Sequence, residues 1–232
     1  MAAGGASFVT FPALIFAGLS PLAANTTNFV GLLLSQPIGL ATSYRSEISA
    51  LGWSLLPSLA VAAAGGAAGA ILLLHTGESG FARVVPWLML LATVLFATGP
   101  LIRAAMIARM RVPLTGSSLA CLALIFLFSV YTGYFGAGVG MMLLGVLVAF
   151  GYDDVHAANA VKNATIAVAS LVATAIYGLS GPVVWPAALA LMAGVVVGSY
   201  AGGVLAKRAP QDLLRTSLII LASLFTLYLF WR

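Results

Sequence analysis

Almost the whole chain is a succession of apolar runs, each close to the length that crosses a bilayer. Broken at charges, glycines and prolines, the runs fall at 2–19, 25–43, 53–74, 84–103, 117–135, 137–150, 157–178, 183–205 and 213–231. None contains an acidic residue, and away from the run ends the only charge is Lys162. A membrane helix takes about 20 apolar residues, so the chain has room for roughly eight crossings and no sizeable extramembrane domain. Composition agrees, with 62% of residues apolar and 6% charged, against roughly 45–50% and about 25% in a soluble domain. A soluble enzyme and a secreted disulfide scaffold are excluded. In lipid each backbone N–H and C=O must be satisfied internally, which leaves helices or closed barrels. A barrel needs polar–apolar alternation, and Val195-Val196-Val197 and Leu72-Leu73-Leu74 show none. The expected fold is an all-α polytopic membrane protein whose main partner is the lipid bilayer.

The formal charge of +5 is spread over single or paired basic residues, so no nucleic-acid patch forms. In such a chain the excess of Lys and Arg reports orientation. The single cysteine, Cys121, has no internal disulfide partner and reads as a core residue. The first apolar run lacks a basic leader, so no cleavable signal is expected. The two histidines, His75 and His156, are far apart and the five acids fall in expected loops. Nothing here resembles the paired carboxylates, His cluster or activated nucleophile of an enzyme, and no cofactor or metal is expected. The four tryptophans lie near run ends and read as interfacial anchors.

Run 137–150 is too short to span, and Gly133, Gly136, Gly138 and Gly140 interrupt the helix that precedes it. It is either the end of one long kinked span or a short returning element. Loop 103–116, with Arg103, Arg109 and Arg111, and loop 206–212, with Lys207 and Arg208, both read as cytoplasmic. An even number of crossings must separate them, which favours the returning element.

The chain also repeats itself weakly. Gly5 to Leu19 aligns with Gly138 to Tyr152, and Ala23-Ala24-Asn25 with Ala157-Ala158-Asn159. Trp53 then aligns with Trp185, and the pair Gly65/Gly69 with Gly198/Gly202. The halves fall at 1–112 and 113–232 of a single membrane domain. Loop 75–84 occupies the repeat position of loop 206–212, yet on the crossing count they face opposite sides. The repeats are therefore expected to be inverted, a plan shared by many secondary transporters. The G-x-x-x-G pairs suit internal packing or a homodimer equally well.

Polar side chains inside hydrocarbon are costly and mark function. The first half carries Asn25-Thr26-Thr27-Asn28, then Ser35, Gln36 and Pro37; the second carries Asn159, Lys162, Asn163 and Thr165. Both sets follow turns, Ser20-Pro21 and Asp153-Asp154, and so fall near helix N-termini, where unpaired N–H groups favour anions. Amides, hydroxyls and the Lys162 ammonium supply further donors, and Gly138 lets backbone approach a ligand. A small anion is the expected substrate, with Asn25, Thr26, Asn28, Gln36, Gly138, Asn159, Lys162 and Asn163 as its candidate ligands. Each has a structural alternative: Asn25 as a helix cap, Lys162 snorkelling to the interface, the glycines as packing sites.

A glycine element leading into a short apolar run, then Ala-Ala-Asn with polar residues one turn on, all of it repeated, resembles the TauE/SafE family. The matching stretches are Gly4–Asn28, Tyr134–Asn163 and the helices 53–74 and 183–205. The resemblance implies export of a small sulfur-containing anion, sulfite or an organosulfonate such as sulfoacetate, through the cell (inner) membrane by alternating access. A passive anion channel is the alternative. Carried over by position, the polar residues at the repeat interface are Asn25 and Asn28 with Asn159, Lys162 and Asn163. One departure is that the family's helix before the first glycine element has no counterpart here, implying a shortened start or a lost helix.

Overall fold

The computed structural model describes residues 6–33, 55–109, 119–150, 155–206 and 211–231, which form eight helices with no strand among them. Helix α1 (Ser7–Phe16) is short because Gly18, at φ 91°, ends it. The Leu19 N–H returns to the Leu14 carbonyl at 3.1 Å and that of Gly18 to Ile15 at 3.0 Å, a Schellman closure that glycine permits. Helix α2 (Pro21–Gly31) starts with Ser20 extended and Pro21 in the first turn, where proline's missing N–H costs nothing. The helix expected from residue 25 thus begins four residues earlier. Asn25 lies inside it, not at its cap.

Helix α3 (Leu56–Arg109) is two helices joined at one residue, Gly77, whose φ of 67° and ψ of −179° are open essentially only to glycine. Leu72 in its first arm and Leu95 in its second line the same cavity of about 560 Å³. In a straight helix they would lie about 34 Å apart, so the arms fold into a hairpin. The loop expected at 75–84 is therefore a single residue wide, and helix runs up to it on both sides. In the second arm Pro100 offers no N–H to the Phe96 carbonyl. Arg215, from α8 (Gln211–Trp231), fills the gap, donating from Nη2 to the Phe96 and Ala97 carbonyls at 3.3 and 2.6 Å.

Helix α4 (Leu119–Tyr134) ends in a break at 135–138, followed by α5 (Val139–Ala149). Gly136 and Gly138, both at φ 78°, make the turn, and Tyr131 clamps it: its carbonyl accepts the Gly136 N–H and its hydroxyl donates to the Ala137 carbonyl. Leu143 and Leu147 share one core cluster with Cys121 and Ile125, whereas a continuous helix would hold Cys121 and Leu147 about 39 Å apart. Helix α5 therefore doubles back along α4, as the short returning element expected from the sequence. Helix α6 (Val155–Ser180) and α7 (Trp185–Ala206) complete the set.

α3 is the hub, touching α2, α4, α5, α6 and α8, while α7 packs chiefly on α2. Glycine lets the hub come close. A Cβ on Gly65 would meet Ser129 and Phe126 of α4, one on Gly66 the backbone of Ala169 in α6, and one on Gly69 that of Val130. Gly194 and Gly198 of α7, by contrast, face open space. The outer surface is apolar, with Leu119 85%, Leu179 88% and Val197 69% exposed, the inverse of a soluble protein. Residues 56–99 and 157–180 include stretches long and apolar enough to cross a membrane. Trp87, Trp185 and Trp231 are all exposed. Trp53 and the loops at 110–118 and 207–210 lie outside the described residues.

Candidate functional site

The polar side chains of α2 are almost wholly buried: Asn25 1%, Thr26 0%, Thr27 0% and Asn28 3% exposed. Their partners are largely backbone groups freed where neighbouring helices break. Asn25 Nδ2 donates to the Tyr134 carbonyl at 3.0 Å, one of the last carbonyls of α4, which has no partner within its own helix. The Gly133 carbonyl beside it accepts the Tyr177 hydroxyl from α6. Thr26 donates to the Leu22 and Pro182 carbonyls at 3.1 and 3.3 Å, and Thr27 accepts the Val184 N–H at 3.0 Å. These last two bonds fasten the α6–α7 connection. Asn28 faces α1, accepting from Thr10 and donating to Ser7.

The N-terminus of α2 holds a carboxylate from the chain itself. Glu78, immediately after the α3 turn, accepts the Ser20 hydroxyl at 2.7 Å and the Leu22 N–H at 3.3 Å. It satisfies a free N–H and complements the helix dipole there. A local spacing pattern gives no sign of it, since the two partners are more than fifty residues apart.

The second polar set has a different setting. Lys162 is 7% exposed and its Nζ donates to Asn159 Oδ1 at 2.9 Å, three residues back on α6. Around it the core is apolar, with Val161, Ala164 and Ile166 packed beside Val139, Leu143 and Leu147 of α5 and Cys121 and Ile125 of α4. Lys162 is therefore enclosed by the protein, with its ammonium bonded back toward the start of α6. Asn159 and Asn163 are half-buried.

The two sets meet α6 at opposite ends. The Phe29 carbonyl of α2 accepts the Thr174 hydroxyl at 3.4 Å, and Thr174 lies about 18 Å along α6 from Lys162. The structure brings Asn159 and Lys162 together; Asn25, Thr26 and Asn28 it gathers into a separate knot. Gly138 is buried, and the close approach it allows is to α3, where a Cβ would lie 2.9 Å from the Ala92 carbonyl oxygen. Gln36 lies outside the described residues. Among the described residues no group of three His, Cys, Asp or Glu side chains is placed to hold a metal.

Comparison with known proteins places this architecture. A probable membrane transporter protein of Haemophilus influenzae is 26% identical over 232 residues, covering 97% of this chain and 86% of its own length. A probable membrane transporter protein of a Sinorhizobium species is 25% identical over 222 residues, covering 95% of this chain and 82% of its own length. No solved structure shows a significant match. The family profile described as sulfite exporter TauE/SafE matches residues 1–229, essentially the full chain. With its helical hairpins, apolar exterior and transporter relatives, the chain is a membrane protein and belongs to the TauE/SafE family.

Proposed function

We propose that the protein is a secondary transporter that exports a small sulfur-containing oxyanion, sulfite or an organosulfonate such as sulfoacetate, across the inner membrane. The observation that carries this is the Lys162 ammonium, buried in α6 and bonded to Asn159. An ionisable side chain kept at such a place in a membrane helix is retained for what it binds. Lys162 neutralises the anion and the Asn159 and Asn163 amides donate to its oxygens. The sulfur chemistry is supported by the description of the family alone.

Alternating access suits the architecture. The pair α1–α2 and the pair α5–α6 have the same form: a short helix of 10 or 11 residues beside a glycine turn, then a polar helix. We take these as the cores of two repeats inverted in the membrane plane. Rocking of one against the other would carry the Lys162 site from side to side. The reaction is translocation, with no bond made or broken.

The test is ligand-induced thermal stabilisation of the purified protein by sulfite, thiosulfate, sulfoacetate, taurine, sulfate and acetate. The expected outcome is a shift restricted to sulfur oxyanions and abolished in Lys162→Ala, with that variant still folded. A Lys162→Ala protein that answers to sulfite like the wild type sinks the assignment.

A further inference from the structure

Serine and threonine in a membrane helix have a partner near at hand, the carbonyl one turn back. Thr76, Thr93, Thr98, Thr132 and Thr226 all use it, donating to Leu72, Met89, Val94, Phe128 and Ala222. Ser129 and Thr165 do not. Both hydroxyl oxygens are buried without a hydrogen-bond partner among the described residues, in side chains only 2% and 1% exposed. A buried donor left unmade carries the full cost of its lost hydration, so a native structure that keeps two of them invites a ligand as the reason. The third such atom, Arg215 Nε, needs no ligand to explain it, because its guanidinium is already fixed to the α3 carbonyls.

Both side chains lie on helices that pack against the same part of α3 and against each other. A Cβ on Gly65 would lie 2.7 Å from the Ser129 Cβ, and one on Gly66 would strike the backbone of Ala169, one turn beyond Thr165. Ile125, one turn before Ser129, shares its core cluster with Val161 and Ala164. Helices α4 and α6 therefore meet along this stretch, with Ser129 against Gly65 and the Ala169 backbone against Gly66 of α3. Thr165 follows Lys162 by three residues and shares its helix face.

We infer that Ser129 and Thr165 are the oxygen-selecting residues of the Lys162 site, hydroxyl donors that bind the oxygens of a multi-oxygen anion as it passes along the α4–α6 seam. This rests on the role of Lys162 proposed above. The ammonium attracts anions by charge. Two hydroxyls fixed on separate helices add a demand for several acceptor oxygens in one small body. A pyramidal sulfite or a sulfonate head group offers three oxygens, one each for the ammonium and the two hydroxyls; a carboxylate offers two and chloride none.

The test uses Ser129→Ala and Thr165→Val, which remove a hydroxyl and little volume, beside Lys162→Ala. Melting is followed with and without sulfite, sulfoacetate, chloride and acetate, and affinity by sulfite titration. Without ligand, the hydroxyl variants are expected to melt at or above the wild-type temperature, because an unsatisfied polar group is gone. With sulfite, each is expected to bind roughly tenfold or more weakly, the loss typical of a hydrogen bond to a charged ligand, and its preference over chloride should shrink. Hydroxyl variants that melt early without ligand, or that keep wild-type sulfite affinity while Lys162→Ala loses it, overturn the inference alone. Lys162→Ala with wild-type affinity, or a wild type that binds none of the oxyanions, overturns the transport site and this inference with it.

Discussion

At Asn25 one amide joins two broken helices, its own α2 and the end of α4. Replacing it with leucine would leave the Tyr134 carbonyl buried and unanswered, at a cost of about 1–3 kcal/mol. For a chain of this size that is a fall in melting temperature of roughly 2–12 °C, with the sulfite response of the folded fraction intact. An Asn25→Leu protein of normal stability that no longer responds to sulfite would instead make Asn25 a substrate ligand. The polar run 25–28 was legible from the sequence as something out of place in lipid, and its burial agrees. Its hydrogen-bond partners were not legible, because Tyr134, Pro182 and Val184 are supplied by tertiary folding. Lys162 was legible for the opposite reason: its partner Asn159 is three residues away, within the reach of helical spacing.

Helix contacts in this protein are made by glycine where backbones touch, and the glycines differ sharply in what they hold. Gly66→Ala drives a methyl into the Ala169 backbone and is expected to lower the melting temperature by several degrees, with α3 and α6 pushed apart. Gly194→Ala meets open space and should be neutral or slightly stabilising, since alanine is the better helix former by about 1 kcal/mol. A clear loss at Gly194, together with a change in mass by light scattering, would instead reveal a second copy packed on α7. The sequence treated Gly65/Gly69 and Gly198/Gly202 as equivalents. Gly65 and Gly69 prove to be packing sites against α4, while Gly198 faces outward. Spacing shows that a close approach is possible; only the fold shows which neighbour makes it. The break after Gly136 was readable because glycines, a short run and the charge balance agreed. The turn at Gly77 was readable as the polar stretch 75–84, but not its width, because helix carries that stretch up to a single glycine on both sides.

At the scale of the whole molecule, Cys121 offers a built-in reporter. It is the chain's one cysteine, it is buried, and it packs in the same cluster as Val161 beside Lys162. The alternating access proposed above would loosen that cluster from one side or the other. Alkylation of Cys121 by a membrane-permeant maleimide is expected to be slow in the resting protein. Saturating sulfite should change its rate severalfold, with no such change in Lys162→Ala. A rate indifferent to substrate in the wild type would argue for a static pore.

The chain also sets an order for its own completion. The carboxylate seated on the start of α2 belongs to Glu78, and the ring of Phe8 packs on Phe96. Phe11 waits longer still, for Phe135 and finally for Phe225 near the other end of the chain. Helix α1 leaves the ribosome before every one of these partners, and its packing is complete only when α8 has been made. Until α8 arrives, the side of α1 that Phe225 and Tyr228 cover has only lipid or the insertion machinery against which to rest.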